Sequence, residues 1–174
     1  MFRKPSKTRE PENQAKAYEY AVFLLSLQLR TVGEIREKME KRGYTSAVIG
    51  NVLDQLHSQK YLDDERYAEV FLDNLKQYKN LGYFGIKRKF MAKKLPPELI
   101  SKILDEGLPL EDELKIAKRF LKKEGVEVKS SATDDEMDVS YSTYDEAQGK
   151  QKQKIIAKLK SRGFRGETIA RLVL

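Results

Sequence analysis

The stretch "KYLDDERYAEVFLDNL", residues 60–75, sets Asp63, Asp64 and Glu65 side by side. Clustered carboxylates can hold a divalent metal or perform acid–base chemistry. They also start helices, where they accept hydrogen bonds from free N–H groups and meet the positive end of the helix dipole, a cap being worth about 1 kcal/mol. Catalysis would want one special place with converging partners. These acids instead recur: in "LEDELKIAKRF", Asp112 and Glu113 fall where Asp63 and Asp64 fall. Asp63, Asp64, Asp112 and Glu113 are therefore assigned to helix capping and to the docking of one unit on the next, with Arg66 in reach of Asp63 at i, i+3.

The other reactive groups are few. His57, the only histidine, follows Leu53 by four residues at the edge of an apolar helical stripe and reads as a helix-surface residue. Without cysteine there is no thiol nucleophile, disulfide or thiolate metal site, which fits a reducing cytoplasm. Neither GxxxxGK[ST] nor GxGxxG occurs, so no glycine loop is at hand to cradle phosphate. No enzymatic activity, cofactor, metal or small-molecule substrate is expected. An Asp-based metal hydrolase would show Mg²⁺- or Mn²⁺-dependent activity lost in Asp63→Asn.

Charge is more informative. Of 174 residues 35% are charged, and the formal net charge of +7 points to a polyanionic partner. Cations recur as i, i+4 pairs on one side of a helix: Lys38 with Arg42, Lys89 with Lys93, and Lys158 with Arg162. With Lys87 they form the candidate partner- or nucleic-acid-binding face. Dipole compensation accounts well for the last-turn members, Arg42, Lys93 and Arg162, and less well for the lysines a turn earlier. Reversing Lys89 and Lys93 together is expected to weaken partner binding without unfolding the chain.

These residues need helices to carry them. "VGEIREKMEKRG" places Ile35 and Met39 on one face and stops at Gly43; "TSAVIGNVLDQL" then starts at Thr45 or Ser46 and repeats apolar residues at Ile49, Val52, Leu53 and Leu56. The preceding "AKAYEYAVFLLSLQLR" reads as a helix that must be largely buried. The unit repeats. A shift of 51 turns Ile35, Met39, Ile49, Val52 and Leu53 into Ile86, Phe90, Ile100, Ile103 and Leu104, and a shift of 120 into Ile155, Leu159, Ile169, Leu172 and Val173. The leading helix recurs too, with Ala21, Leu24 and Leu25 matching Ala68, Phe71 and Leu72, then Ala117, Phe120 and Leu121.

The expected fold is all-α, an elongated, curved array of three tandem three-helix repeats whose apolar faces cover one another. Its parts are a flexible basic tail (1–14), repeat 1 (15–60), repeat 2 (61–108) and repeat 3 (109–174). Repeat 3 carries an acidic insertion over about 126–150, with seven acids and two lysines, read as a solvated loop. As a flap competing for the basic surface, it would weaken binding at low salt. No apolar run approaches the roughly 20 residues of a membrane span, and the N-terminus lacks an apolar signal core, so a cytoplasmic protein without membrane contact is expected.

Two functions compete. "EIREKMEKRGYTSAVIGNVL" has the form of a helix–turn–helix, making a stand-alone DNA-binding protein the alternative. Its reading helix, 46–57, offers mainly Asn51, Asp54, Gln55 and His57, a weak set for major-groove recognition. The leading function comes from a resemblance. "YLDDERYAEVF" (61–71), "GIKRKFMAKKLPPELI" (85–100), "EDELKIAKRFLKK" (111–123) and "KIIAKLKSRGFRGETIARLV" (154–173) resemble the RecX family of bacterial recombination regulators over roughly residues 15–174. The resemblance implies an array of three-helix repeats that binds along the groove of the RecA–single-stranded DNA filament. It implies a lowering of RecA's ATP hydrolysis, strand exchange and co-protease activity, with non-specific contacts to DNA phosphates. Two departures stand out: Lys60 where the family often has glycine, and Lys94-Leu95-Pro96-Pro97 where glycine-containing turns are usual.

Overall fold

In the computed structural model, residues 7–126 and 146–173 are described, and among them nine helices and no strands occur. In chain order these are α1 Gln14–Leu27, α2 Val32–Arg42, α3 Ser46–Ser58, α4 Asp64–Tyr78, α5 Tyr83–Ala92, α6 Pro97–Gly107, α7 Leu110–Lys123, α8 Glu146–Arg162 and α9 Gly166–Val173. They group by threes, as the repeat predicts. Most of the acidic insertion, 127–145, and the first six residues of the tail lie outside the described residues.

Local sequence explains the helix ends. Thr31 and Glu34 form a reciprocal capping box at the start of α2. Gly43 ends α2 in the left-handed region at φ +96°, its N–H and that of Tyr44 turning back to Met39 O. The register then decides what occupies the two equivalent turns. Lys94, at φ +60°, and Gly163, at φ +80°, hold the same conformation after α5 and α8. Lys60 also has φ +60°. The two positions where lysine replaces the expected glycine are thus the two described non-glycine residues with positive φ. Pro97 is the first residue of α6, where a missing N–H costs nothing.

The described residues form two compact units that divide the middle repeat between them: residues 7–72 with 89–103, and residues 73–88 with those from 104 onward. In the first, Ala17, Ala21 and Leu24 of α1 pack with Ile35 and Met39 of α2 and with Ile49, Val52, Leu53 and Leu56 of α3. In the second, Ile86, Leu104, Leu108, Ala117, Phe120, Leu121, Leu159 and Phe164 are buried. Ala21, Ala68 and Ala117 are fully buried in all three leading helices, where a small residue lets helices approach closely. Of the repeated apolar positions, all five in each of the first two repeats are buried. In the third, Leu159 and Ile169 are buried while Ile155, Leu172 and Val173 are half-buried.

One expectation fails in part. Helix α1 buries only one side: Phe23 and Leu27 are 55% and 61% exposed, and Leu29 beyond it is 75% exposed. Apolar composition predicted burial, but a helix packed against two neighbours on one side leaves the opposite stripe outside.

Candidate nucleic-acid and partner interface

The acids come first, because they fix where the basic helices sit. Asp63 precedes α4 and accepts the Arg66 N–H at 2.9 Å, so it is the backbone of Arg66 rather than its guanidinium that reaches back. Asp64 turns away from its own helix and accepts the Val32 N–H at the start of α2, at 2.9 Å. Burial raises its carboxyl above the ordinary range despite that bond, and Asp63 and Glu34 nearby add to the rise. In the second unit Glu113 has the same task. It accepts the N–H groups of Tyr83 (2.7 Å) and Arg165 (3.1 Å), the Arg165 Nε–H (2.5 Å) and the Thr168 hydroxyl (2.6 Å). Its side chain is fully buried. Asp112 does not cap: α7 starts at Leu110 behind Pro109, which puts Asp112 inside the first turn, ion-paired to Lys76 at 2.9 Å and Lys115 at 3.1 Å. Those bonds, Lys76 first, hold its carboxyl below the usual value.

The cation pairs separate into two kinds. The later member of each pair lies over an aromatic ring of its own repeat: Arg42 over Tyr20 at 5.4 Å, Lys93, just past the end of α5, over Tyr67 and Phe71 at 5.9 and 5.8 Å, and Arg162 over Phe120 at 5.1 Å. Such contacts contribute about 0.5–2 kcal/mol, depending on desolvation. Lys93 also pairs with Glu34 at 3.1 Å. Burial works against its charge, but the Glu34 carboxylate and the Tyr67 hydroxyl more than offset this and hold its pKa above that of an ordinary lysine. Lys93 is therefore built into the join between α2 and α5, and reversing its charge would disturb the fold.

The earlier members are freer. Lys38 and Lys87 are half-buried and Lys89 is exposed, and none of the three has a hydrogen-bond or ion-pair partner among the described residues. Lys158 is exposed and paired with Glu124. Helix α5 contains no acid at all, and Phe84, half exposed, lies one turn before Lys87 and Arg88.

Beyond the paired cations, the structure exposes a further group. The exposed side of α7 carries Lys118, Lys122 and Lys123, and α8 exposes Lys152, Lys154 and Lys160. Glu124 stands among these charges, and Lys158 first, then Arg162 and Lys123, lower its pKa. The α7 lysines show in the sequence as "KRFLKK", an i, i+4 lysine pair at a helix end.

Helix α3, the reading helix of the alternative, has no lysine or arginine; its exposed polar side chains include Asn51, Asp54 and His57. Among the described residues no three His, Asp or Glu side chains converge as a metal-holding group, and no helix is long and apolar enough to cross a membrane.

With this geometry in hand, the comparisons with known proteins agree. A family model described as RecX, first three-helix domain, matches residues 17–56, the span of α1 to α3. The regulatory protein RecX of Mycobacterium sp. (strain KMS) is 31% identical over 100 residues, 58% of this chain and 55% of that protein. That of Geobacillus kaustophilus is 28% identical over 108 residues, 62% of this chain and 40% of that protein. The match thus spans about half the length of these relatives. The RecX of Trichlorobacter lovleyi matches more fully, at 23% identity over 89% of this chain and 92% of that protein. Among solved structures, RecX from Lactobacillus salivarius superposes with a TM-score of 0.73 at 20% identity, over 92% of this chain and 94% of that one. Another structure of regulatory protein RecX gives 0.72 at 22% identity, over 91% and 72%. The chain is thus similar to proteins named regulatory protein RecX, its first three helices match the first three-helix domain of that family, and its described helices share the fold of the solved RecX structures.

Proposed function

We propose that this protein regulates RecA, binding the RecA–single-stranded DNA filament and inhibiting its ATPase, recombinase and co-protease activities. Similarity to proteins named regulatory protein RecX carries the reading. The distribution of charge supports it. Free or exposed cations stand on α2, α5, α7 and α8 at helical spacing, which suits a long polyanionic surface met through many modest phosphate contacts better than a small ligand. The contact residues proposed are Lys38, Lys87, Lys89 and Lys158, with Lys118 and Lys122 added. Arg42, Lys93 and Arg162 brace the same helices through their ring contacts.

The test is single-strand-dependent ATP hydrolysis by RecA of the same organism. Substoichiometric inhibition is expected. Absence of any effect, together with tight binding to bare duplex, would instead favour the stand-alone DNA-binding protein.

A further inference from the structure

Successive repeats meet through the same parts each time. In the first unit the Thr31 hydroxyl donates to Lys93 O, the Val32 N–H reaches Asp64, and Gly33 lies against Lys94, so closely that a Cβ at Gly33 would stand 2.4 Å from Lys94 O. In the second unit the Gly82 N–H donates to Arg162 O at 3.2 Å, the Tyr83 N–H reaches Glu113, and Gly163 lies against Gly85. The receiving side of a repeat is therefore three things: the last carbonyl of its middle helix, the positive-φ residue after it, and an acid on its leading helix.

Repeat 1 has the first two, Arg42 O and Gly43. At the place of the acid, 47 residues before Asp64, stands Ala17, fully buried. What covers this side is the chain's own N-terminal segment. The Thr8 N–H donates to Arg42 O at 2.7 Å, the counterpart of the bonds made to Lys93 O and Arg162 O. Lys7 and Thr8 lie over Gly43, and Pro11 O accepts the Thr45 N–H at 3.1 Å. The segment is tied down at its far end, where Asn13 caps α1 and Glu10 bonds both Asn13 and Lys16.

We infer that residues 7–11 are a cap on repeat 1, occupying there the place that a preceding repeat's middle helix occupies on repeats 2 and 3. The alanine belongs to the same arrangement. This non-helical segment of bends and turns brings no row of free helix N–H groups, so a carboxylate at position 17 would be buried without a partner, a costly state. The cap satisfies the Arg42 carbonyl, which ends the basic helix α2, and the Thr45 amide, which stands at the start of α3.

Four variants test this. Removing residues 2–11 is expected to lower the melting temperature by several degrees and to speed hydrogen exchange at the Thr45 amide about tenfold or more, as local opening replaces a protected bond. Thr8→Pro, which removes the donor to Arg42 O and the hydroxyl that accepts the Glu10 N–H but keeps the rest of the segment, is expected to shift both in the same direction by less. Ala17→Asp is expected to destabilise, whereas Asp64→Ala destabilises by the opposite change. Unaltered Thr45 exchange and melting in the deletion would overturn the cap, as would an Ala17→Asp chain as stable as the parent. If the deletion fails to fold, Thr45 exchange in Thr8→Pro decides: parental protection overturns the proposal and faster exchange supports it.

Discussion

At the scale of single residues, the three turns after α2, α5 and α8 set a clear comparison. Gly43, Lys94 and Gly163 share a left-handed backbone, and only Lys94 has a Cβ in it. That conformation costs a non-glycine residue about 1–2 kcal/mol, partly returned because lysine restricts the unfolded chain more than glycine does. Lys94→Gly is thus expected to stabilise by about 0.5–1 kcal/mol, read as a higher melting temperature. The cations divide as sharply. Lys89→Glu is expected to leave stability within about 0.5 kcal/mol of the parent while reducing RecA inhibition. Lys93→Glu is expected to lower stability, since it would set a carboxylate beside Glu34 and over two ring faces. A Lys89→Glu chain that inhibits as the parent does would remove this lysine from the contact face.

At the scale of elements, the leading helix of one repeat caps the middle helix of the one before. Glu113 does so from a fully buried position with four hydrogen bonds, and Glu113→Ala would leave Arg165 with its charge partner gone. Loss of about 3–5 kcal/mol is expected in denaturant unfolding. Two of the acids with altered pKa, Asp112 and Asp64, act in opposite directions. Asp112 is held low in the fold, so its contribution is present above the unfolded carboxyl value of about 4 and is lost as pH falls through the lower folded value. Asp64 is raised by burial, so its ionisation takes stability away as pH rises from about 4 through the higher folded value. Asp112→Asn is expected to flatten the acid-side loss and Asp64→Asn the decline above it, both read from stability measured against pH. Much of this level was legible in advance. The repeat alignment paired Asp63 with Asp112 and Asp64 with Glu113, and predicted unit-to-unit docking. The periodicity of apolar residues sees one helix at a time, so it did not reveal that Asp64 caps α2 rather than α4. Nor could spacing separate Arg42, Lys93 and Arg162 from the lysines one turn earlier, because the rings that hold them come from a different helix.

At the scale of the whole molecule, the charge of the sequence is uneven: the acidic stretch around 127–145 interrupts a chain that is otherwise strongly basic. Deleting residues 129–146 is expected to tighten binding to the filament at low salt, with the difference shrinking as salt screens it. Equal affinity with and without the segment would dismiss it as a competitor. The acid on the leading helix also decides which parts of the chain are interchangeable. Repeat 2 carries both halves of the joint, Asp64 toward α2 and Tyr83 toward Glu113, whereas repeat 1, with Ala17, has only the outgoing half. In a rebuilt chain, a second copy of residues 61–108 placed after the first could join on either side, lengthening the protein by one module. A second copy of repeat 1 placed in the interior would leave the helix before it uncapped.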